Sequence, residues 1–237
     1  GGGPAGAAHA GGGPAGETSG SRPAFGAILL AGGRASRMGG IDKPRLLVGG
    51  VSMLDRAIVA VRELDASSII AVGPEPACAQ ASRPTSAAAP TTKSTRATTT
   101  PVQWVREDPP FTGPAAAIVA ALAVPAAHDP EWTFVLACDL PRVDAAVRQL
   151  LDDIVLLPSD TDGACLSDAS SRPQWLTGVY RTDALRRAAA SVADQGRDQS
   201  VRSLFADLAI ASVADRSGGA DDIDTWEDFR RFTKEDV

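Results

Sequence analysis

The stretch Ala27-Ile28-Leu29-Leu30-Ala31-Gly32-Gly33-Arg34-Ala35-Ser36-Arg37-Met38-Gly39-Gly40-Ile41-Asp42-Lys43-Pro44 opens as an apolar run and turns abruptly into a basic, glycine-rich loop. The run Ala27–Leu30 is short, continuous and bounded by turn residues, so it reads as a buried strand. Four glycines, two arginines and a lysine then crowd into residues 32–43. Glycine lets the backbone approach a ligand closely and adopt positive φ. Successive N–H groups in such a turn form a concave anion site, and Arg34, Arg37 and Lys43 add positive charge beside it. A strand that ends this way reads as a polyphosphate holder. The two common phosphate motifs do not fit. A P-loop needs Gly-Lys followed by Ser or Thr, whereas Lys43 is followed by Pro44 and preceded by Asp42. A dinucleotide fingerprint needs G-x-G-x-x-G, whereas the glycines here are spaced G-G-x5-G-G.

Outward from this loop the chain alternates strand and helix. Val48-Gly49-Gly50-Val51 marks a turn, and Ser52 caps an amphipathic helix running to Leu64. Strands are expected at 68–72, ending at Gly73-Pro74, and at 102–105, running into Arg106-Glu107-Asp108-Pro109-Pro110. Thr112-Gly113-Pro114 starts an alanine-rich helix to Leu122, with proline at a favourable first-turn position. Thr133–Cys138 is continuously apolar, as a central parallel strand should be. Asp139-Leu140-Pro141 ends it, and Asp144 is expected to cap a helix through Leu151. Strands at 163–167, 175–180 and 209–213 follow, with helices at 182–193 and 225–233, the last capped by Asp224 or Thr225. This alternation predicts a three-layer α/β/α, Rossmann-like fold with a mostly parallel sheet. Ligands in such sheets sit beyond the carboxyl ends of the strands. The loop, Asp108 and Asp139 all fall there.

Composition bounds the rest. The 237 residues suit one α/β domain spanning 24–237. Residues 1–23, Gly/Ala/Pro-rich and carrying His9, form a tail expected to be disordered. Residues 79–100, rich in Ala, Ser, Thr and Pro, read as a flexible surface insertion. Gly1 in place of an initiator Met suits a fragment or processed chain. The net charge of −6 gives no support for a nucleic-acid or anionic-membrane partner. No apolar run is long enough to span a bilayer. Cys78, Cys138 and Cys165 are few, scattered and odd in number, which fits a reducing, cytoplasmic setting.

Asp139 has two readings. A carboxylate directly after an apolar strand can bend or cap the turn before Pro141. It can equally hold a metal, since Mg²⁺ takes one or two protein carboxylates together with phosphate and water oxygens. The basic loop and a strand-end carboxylate make chemical sense together around a Mg-bound nucleoside triphosphate, with Arg37 and Lys43 offsetting phosphate charge.

The chain also resembles a known family. The signature loop L-A-G-G-x-x-x-R-M-G-x-D-K of the molybdenum cofactor guanylyltransferase (MobA-like) nucleotidyltransferases is resembled by Leu30–Gly33, Arg37-Met38-Gly39 and Asp42-Lys43, with Gly40-Ile41 where the motif has a single residue. Ala137-Cys138-Asp139-Leu140-Pro141 resembles the family's C-D-x-P segment, and Arg106-Glu107-Asp108 with Gly113-Pro114 resembles its E/D-D…G-P-L-A-G stretch. Further similarities are Pro173–Tyr180 on the acceptor side, the basic segment Gly196–Arg202, and Asp222-Ile223-Asp224-Thr225 against the closing N-x-N-T-P. The resemblance covers about residues 25–233. It implies the nucleotide-diphospho-sugar transferase type of fold and nucleotide contacts from Leu30, Ala31, Gly32, Gly33, Arg37, Lys43, Gly73, Asp108 and Asp139. It also implies Mg²⁺ on Asp139 and catalysis by Lys43, Arg37 and Asp139. Three departures stand out: Ala115-Ala116-Ala117 for Leu-Ala-Gly, Asp222 and Asp224 for asparagines, and Trp226 for proline.

The implied reaction moves GMP from Mg-GTP to the terminal phosphate of molybdopterin and releases pyrophosphate. Leu-Ala-Gly-Gly accompanies guanine use in the family, which favours GTP over CTP. The acceptor, a phosphate monoester with a second pKa of about 6, is largely ionised at neutral pH and needs no general base. This agrees with a chain that offers no catalytic histidine, His128 reading as a loop residue. Molybdoenzymes or cofactor chaperones are the implied recipients of the product. Two alternatives remain at this level: a related GTP- or CTP-dependent transferase with another phosphorylated acceptor, and a non-catalytic nucleotide-binding module that delivers the cofactor.

Overall fold

The computed structural model describes residues 1, 23–32, 43–75, 100–125, 129–223 and 225–235. His9 and the tail around it, Gly33 and Arg37 of the loop, Cys78, residues 79–99 of the insertion, His128 and Asp224 lie outside the described residues. In chain order the elements are β1 (Phe25–Leu30), β2 (Leu47–Val48), β3 (Val51–Ser52), α1 (Met53–Arg62), β4 (Ser68–Val72), β5 (Val102–Val105) and α2 (Pro114–Leu122). Then come β6 (Trp132–Ala137), α3 (Val143–Ile154), β7 (Gly163–Ser167), β8 (Pro173–Arg181), α4 (Thr182–Ser191), α5 (Val201–Leu204), β9 (Ile210–Ala214) and α6 (Trp226–Glu235). Single 3-10 turns occupy Lys43–Arg45 and Ala193–Gly196.

Seven strands form one sheet in the order β5-β4-β1-β6-β8-β7-β9, and β8 alone among them runs antiparallel to its neighbours. β1 is buried along its whole length because it lies between β4 and β6 with helices over both faces. Its side chains alternate between two cores. Phe25, Ala27, Leu29 and Ala31 pack with α1 (Leu54, Ala57, Val61) and α3 (Val143, Val147, Leu150). Ile28 and Leu30 pack on the opposite face with α2 (Ala115, Ile118, Ala121) and α4 (Leu185, Ala188). These are the three layers expected from the alternating pattern, with period two along the strand deciding which helix each residue meets. A third cluster joins Val48 and Met53 to Ile223 and Phe232, which docks α6 against the β2–β3 hairpin.

The chain leaves β1, adds β4 and β5 outward on one side, then crosses back to lay β6 on the other side of β1. The strand order therefore reverses between β1 and β6. Crevices in open parallel sheets form beyond the strand carboxyl ends at such a reversal.

The helix starts follow local chemistry. Ser52 accepts from the Asp55 N–H at 3.0 Å at the start of α1, as expected for its N-cap. Asp144 is not a cap. The N-cap position of α3 is Arg142, without a side-chain hydrogen bond, because buried Val143 is already helical. Asp144 sits in the first turn and pairs with Arg148, four residues on. Thr225 starts α6 reciprocally: its Oγ1 accepts from the Asp228 N–H at 3.2 Å, while its own N–H donates to the Asp228 carboxylate at 2.9 Å. Trp226 then takes the first helical position, which asks only for helical φ, so the exchange of proline for tryptophan leaves the helix start intact.

Candidate active site

The register of the parallel strands builds the site. Leu30 stands opposite both Val72 and Ala137, and Val72 opposite Val105, so four strand ends share one row. Two residues beyond that row come Gly32, Pro74, Glu107 and Asp139. All four line a single cleft of about 980 Å³. Leu30, Ala31, Lys43, Pro44 and Ala137 line it as well, and Phe111, Thr112, Gly113 and Ala117 form the wall leading into α2. The far wall is Leu176 of β8 with Asp198, Gln199 and Ser200, just before α5.

Of the residues singled out from the sequence, Leu30, Ala31, Gly32, Lys43 and Asp139 are thus brought together. Backbone bonds hold the row: the Ala31 N–H donates to the Val72 carbonyl at 2.9 Å, and the Cys138 N–H to the Leu30 carbonyl at 3.2 Å. The Ile223 N–H donates to the Asp139 carbonyl at 3.1 Å, which ties the metal-candidate turn to the closing segment near the C-terminus. Ile223 is itself fully buried in the small third core.

Gly73 and Asp108 do not line the cleft. Gly73 lies behind it with φ +148°, and a Cβ there would come within 2.9 Å of Ala31 C and Gly32 N. Its smallness lets the end of β1 lie against the end of β4, beneath the cleft. Gly32 differs: a Cβ there would meet Gly73 Cα and the Val72 carbonyl at 3.6 Å, ordinary contact, so packing does not require a glycine. Asp108 is exposed, and it is its carbonyl that is engaged, by Arg197 Nη2 at 3.1 Å. The carboxylate on this side of the cleft is Glu107, half-buried, whose Oε1 accepts the Phe111 N–H at 3.0 Å. Counting from the strand end finds it: the second residue past each aligned strand lines the cleft, whereas Glu75, Asp108 and Leu140, each the third past its own strand, do not.

Phe111, Leu176 and the run 198–200 carry no catalytic signature, and sequence reasoning singled out none of them as a site residue. The available signals were the similarity of segments 173–180 and 196–202 to the family and, for Phe111, an aromatic just before Gly-Pro. Phe111 and Asp198 both adopt left-handed φ, +68° and +54°. Non-glycine residues held in that region cluster at ligand clamps.

The charges lining the cleft are one cation, Lys43, against Glu107, Asp139 and Asp198 among the described residues. No group of three or more His, Cys, Asp or Glu gathers for a metal among the described residues. Asp139 is a hard oxygen donor of the kind a divalent cation takes when phosphates and water complete its shell. The two cysteines among the described residues, Cys138 and Cys165, are both buried. Burial, and secondarily the Asp139 charge, pushes the Cys138 thiol far up, and burial pushes the Cys165 thiol up to about 12. No helix among the described residues is long and apolar enough to cross a membrane.

An open α/β sheet with a lysine and two strand-end carboxylates, Glu107 and Asp139, around a cleft at its reversal point has the layout of a nucleotide-binding class. The chain belongs to the MobA-like NTP transferase family, whose domain model matches residues 27–212. It is 35% identical over 178 residues to a probable molybdenum cofactor guanylyltransferase of Synechococcus elongatus, covering 73% of this chain and 79% of that one. It is 32% identical over 139 residues to the molybdenum cofactor guanylyltransferase of Pseudomonas putida, covering 59% and 61%. In fold it is similar to molybdopterin-guanine dinucleotide biosynthesis protein A of Archaeoglobus fulgidus, with a TM-score of 0.56 at 18% identity over 88% of this chain and 97% of that one. A manganese complex of Rv0371c from Mycobacterium tuberculosis superposes with a TM-score of 0.57 at 20% identity over 90% of this chain and 100% of that one. The fold is that of the nucleotide-diphospho-sugar transferases.

Proposed function

We propose that this chain is a nucleotidyltransferase that moves GMP from GTP to the terminal phosphate of molybdopterin and releases pyrophosphate. The observation that carries this reading is the aligned row of strand ends. Gly32 and Asp139, two residues past that row, line one cleft of about 980 Å³ together with Lys43. An acceptor phosphate oxygen attacks the α-phosphorus of the triphosphate, the bond to the β-phosphate oxygen breaks, and pyrophosphate leaves. Both reactants are anionic, and three carboxylates line the cleft, so approach requires neutralisation and alignment rather than a general base.

Backbone N–H groups at the end of β1, continuing through Gly33, meet phosphate oxygens in this reading. Lys43 and Arg37 supply positive charge along the triphosphate. Asp139 holds the divalent cation, Mg²⁺ in the reading proposed, which when bound screens phosphate charge and orients the α-phosphate. Glu107, rather than Asp108, is the second nucleotide-side carboxylate, and Leu176 with 198–200 faces the acceptor. The free, buried thiols of Cys138 and Cys165 suit a reducing cytosol. The product would pass to molybdoenzymes or to carriers that serve them.

One observation favours a related CTP- or GTP-dependent transferase as the runner-up. Ala117, which stands where the family has glycine, lines the cleft and narrows it by a methyl group. The test is to incubate the protein with Mg-GTP and molybdopterin and weigh the product. The guanine dinucleotide plus pyrophosphate is expected. Pyrophosphate release only with another phosphorylated acceptor would select the runner-up, and Mg-GTP binding without any turnover would select a delivery module.

A further inference from the structure

We propose that Arg197 is a positioning residue for the nucleotide, although it lies on the acceptor side of the cleft. This rests on the nucleotide-binding reading above. The turn Ala193–Gly196 and the residues after it contain an unusual run of left-handed backbone: Asp194 at φ +49°, Gln195 at +56°, Gly196 at +76° and Asp198 at +54°. Such conformations persist only where surrounding structure over-determines them.

Here the surroundings are the cleft wall between β5 and α2, held at three places. Gly196 is buried, and a Cβ on it would come within 3.0 Å of Ala115 C and Ala116 N, so the turn rests on the first turn of α2. The Asp198 N–H donates to the Thr112 carbonyl at 2.8 Å. Arg197 Nη2 donates to the Asp108 carbonyl at 3.1 Å. The three ties fall at 108, 112 and 115–116, spaced along the segment that presents Glu107 and Phe111 to the cleft.

That segment has little regular structure of its own. Glu107 holds the Phe111 N–H, Thr112 Oγ1 donates to the Pro109 carbonyl at 3.1 Å, and the Arg106 guanidinium lies 5.4 Å from the Phe111 ring centre. Two of the three external ties are main-chain contacts. Arg197 is the one made by a side chain, and it anchors the residue next to Glu107. Its removal therefore loosens the nucleotide-side wall at one of its three ties without touching any group assigned to the nucleotide itself.

The experiment is calorimetric binding of Mg-GTP to the full chain without acceptor, for the wild type, Arg197→Ala and Arg197→Lys. Arg197→Ala should weaken binding about 2- to 10-fold, the scale of one hydrogen bond from a charged donor at an exposed site. Arg197→Lys should recover part of that loss, and kcat at saturating GTP should stay near wild type in both. A purely structural arginine would lower the melting temperature and leave the Kd alone, which would overturn the proposal. So would an unchanged nucleotide Kd with a raised KM for the acceptor, which would make Arg197 an acceptor contact. A wild-type protein that does not bind Mg-GTP at all would refute the nucleotide reading itself, and the proposal with it. If Arg197→Ala does not fold, Arg197→Lys alone decides, since an ammonium cannot reproduce the planar guanidinium donors and some loss of affinity must remain.

Discussion

Gly73→Ala tests the packing that underlies the whole cleft. At φ +148° an alanine is forced into backbone territory that L-residues avoid, which costs about 1–3 kcal/mol. Its methyl group would also stand 2.9 Å from Ala31 C and Gly32 N and 3.0 Å from the Ala31 carbonyl oxygen. These are main-chain atoms held by the Ala31 N–H bond to Val72, so they cannot swing aside as a flexible side chain would. Overpacking of this kind costs about 1–3 kcal/mol more. A backbone shift that relieves one term partly relieves the other, so the expected loss is about 2–4 kcal/mol, a sizeable share of the roughly 5–15 kcal/mol that holds a domain folded. Urea denaturation should show a lower midpoint with an unchanged slope. Because the peptide that must move is Ala31–Gly32, Mg-GTP affinity should fall in the same variant, measured under conditions where it is fully folded. Wild-type stability would refute the close-approach argument. Lost stability with wild-type affinity would show that β1 yields away from the cleft.

Lys43→Ala should lower turnover about 10- to 100-fold with the fold intact, the loss expected for one charge-assisted phosphate contact, as read by pyrophosphate release. Glu107→Gln should weaken nucleotide binding more than Asp108→Asn, since the Glu107 side chain lines the cleft and Asp108 engages Arg197 through its main chain; the opposite order would restore Asp108 to the site. Asp215 concerns stability alone. Burial would raise its pKa, but hydrogen bonds from Ala220, Ser217 and Gly219 outweigh it and hold the carboxyl below the usual aspartate range. A depressed folded pKa contributes stability above the unfolded value and loses it as pH falls through the folded one. Asp215→Asn should therefore be less stable than wild type at neutral pH, and the gap should close in acid, as measured by denaturation across that range.

Much of the fold was legible because its signals are local. Buried strands such as 27–30 and 133–138 are continuous apolar runs, Ser52 and Thr225 carry their own caps, and alternating strand and helix admits few architectures. The reversed direction of β8 was not legible, because a half-buried strand reads the same from either end. The cap assigned to Asp144 went astray for a similar reason: a first-turn aspartate and an N-cap aspartate have the same local sequence, and only the burial of Val143 separates them.

By itself the sequence determined the class of chemistry, since a glycine loop with Lys43 and an aspartate behind an apolar strand are properties of adjacent residues. It also determined which segments reach strand ends. Tertiary structure decided which residue at each end lines the cleft, because that depends on register between strands far apart in the chain. Leu30, Val72, Val105 and Ala137 share a row only once the sheet is assembled. That alignment is what brings Glu107 into the lining of the cleft, leaves Asp108 outside that lining, and sets Gly73 against Ala31 and Gly32 beneath it.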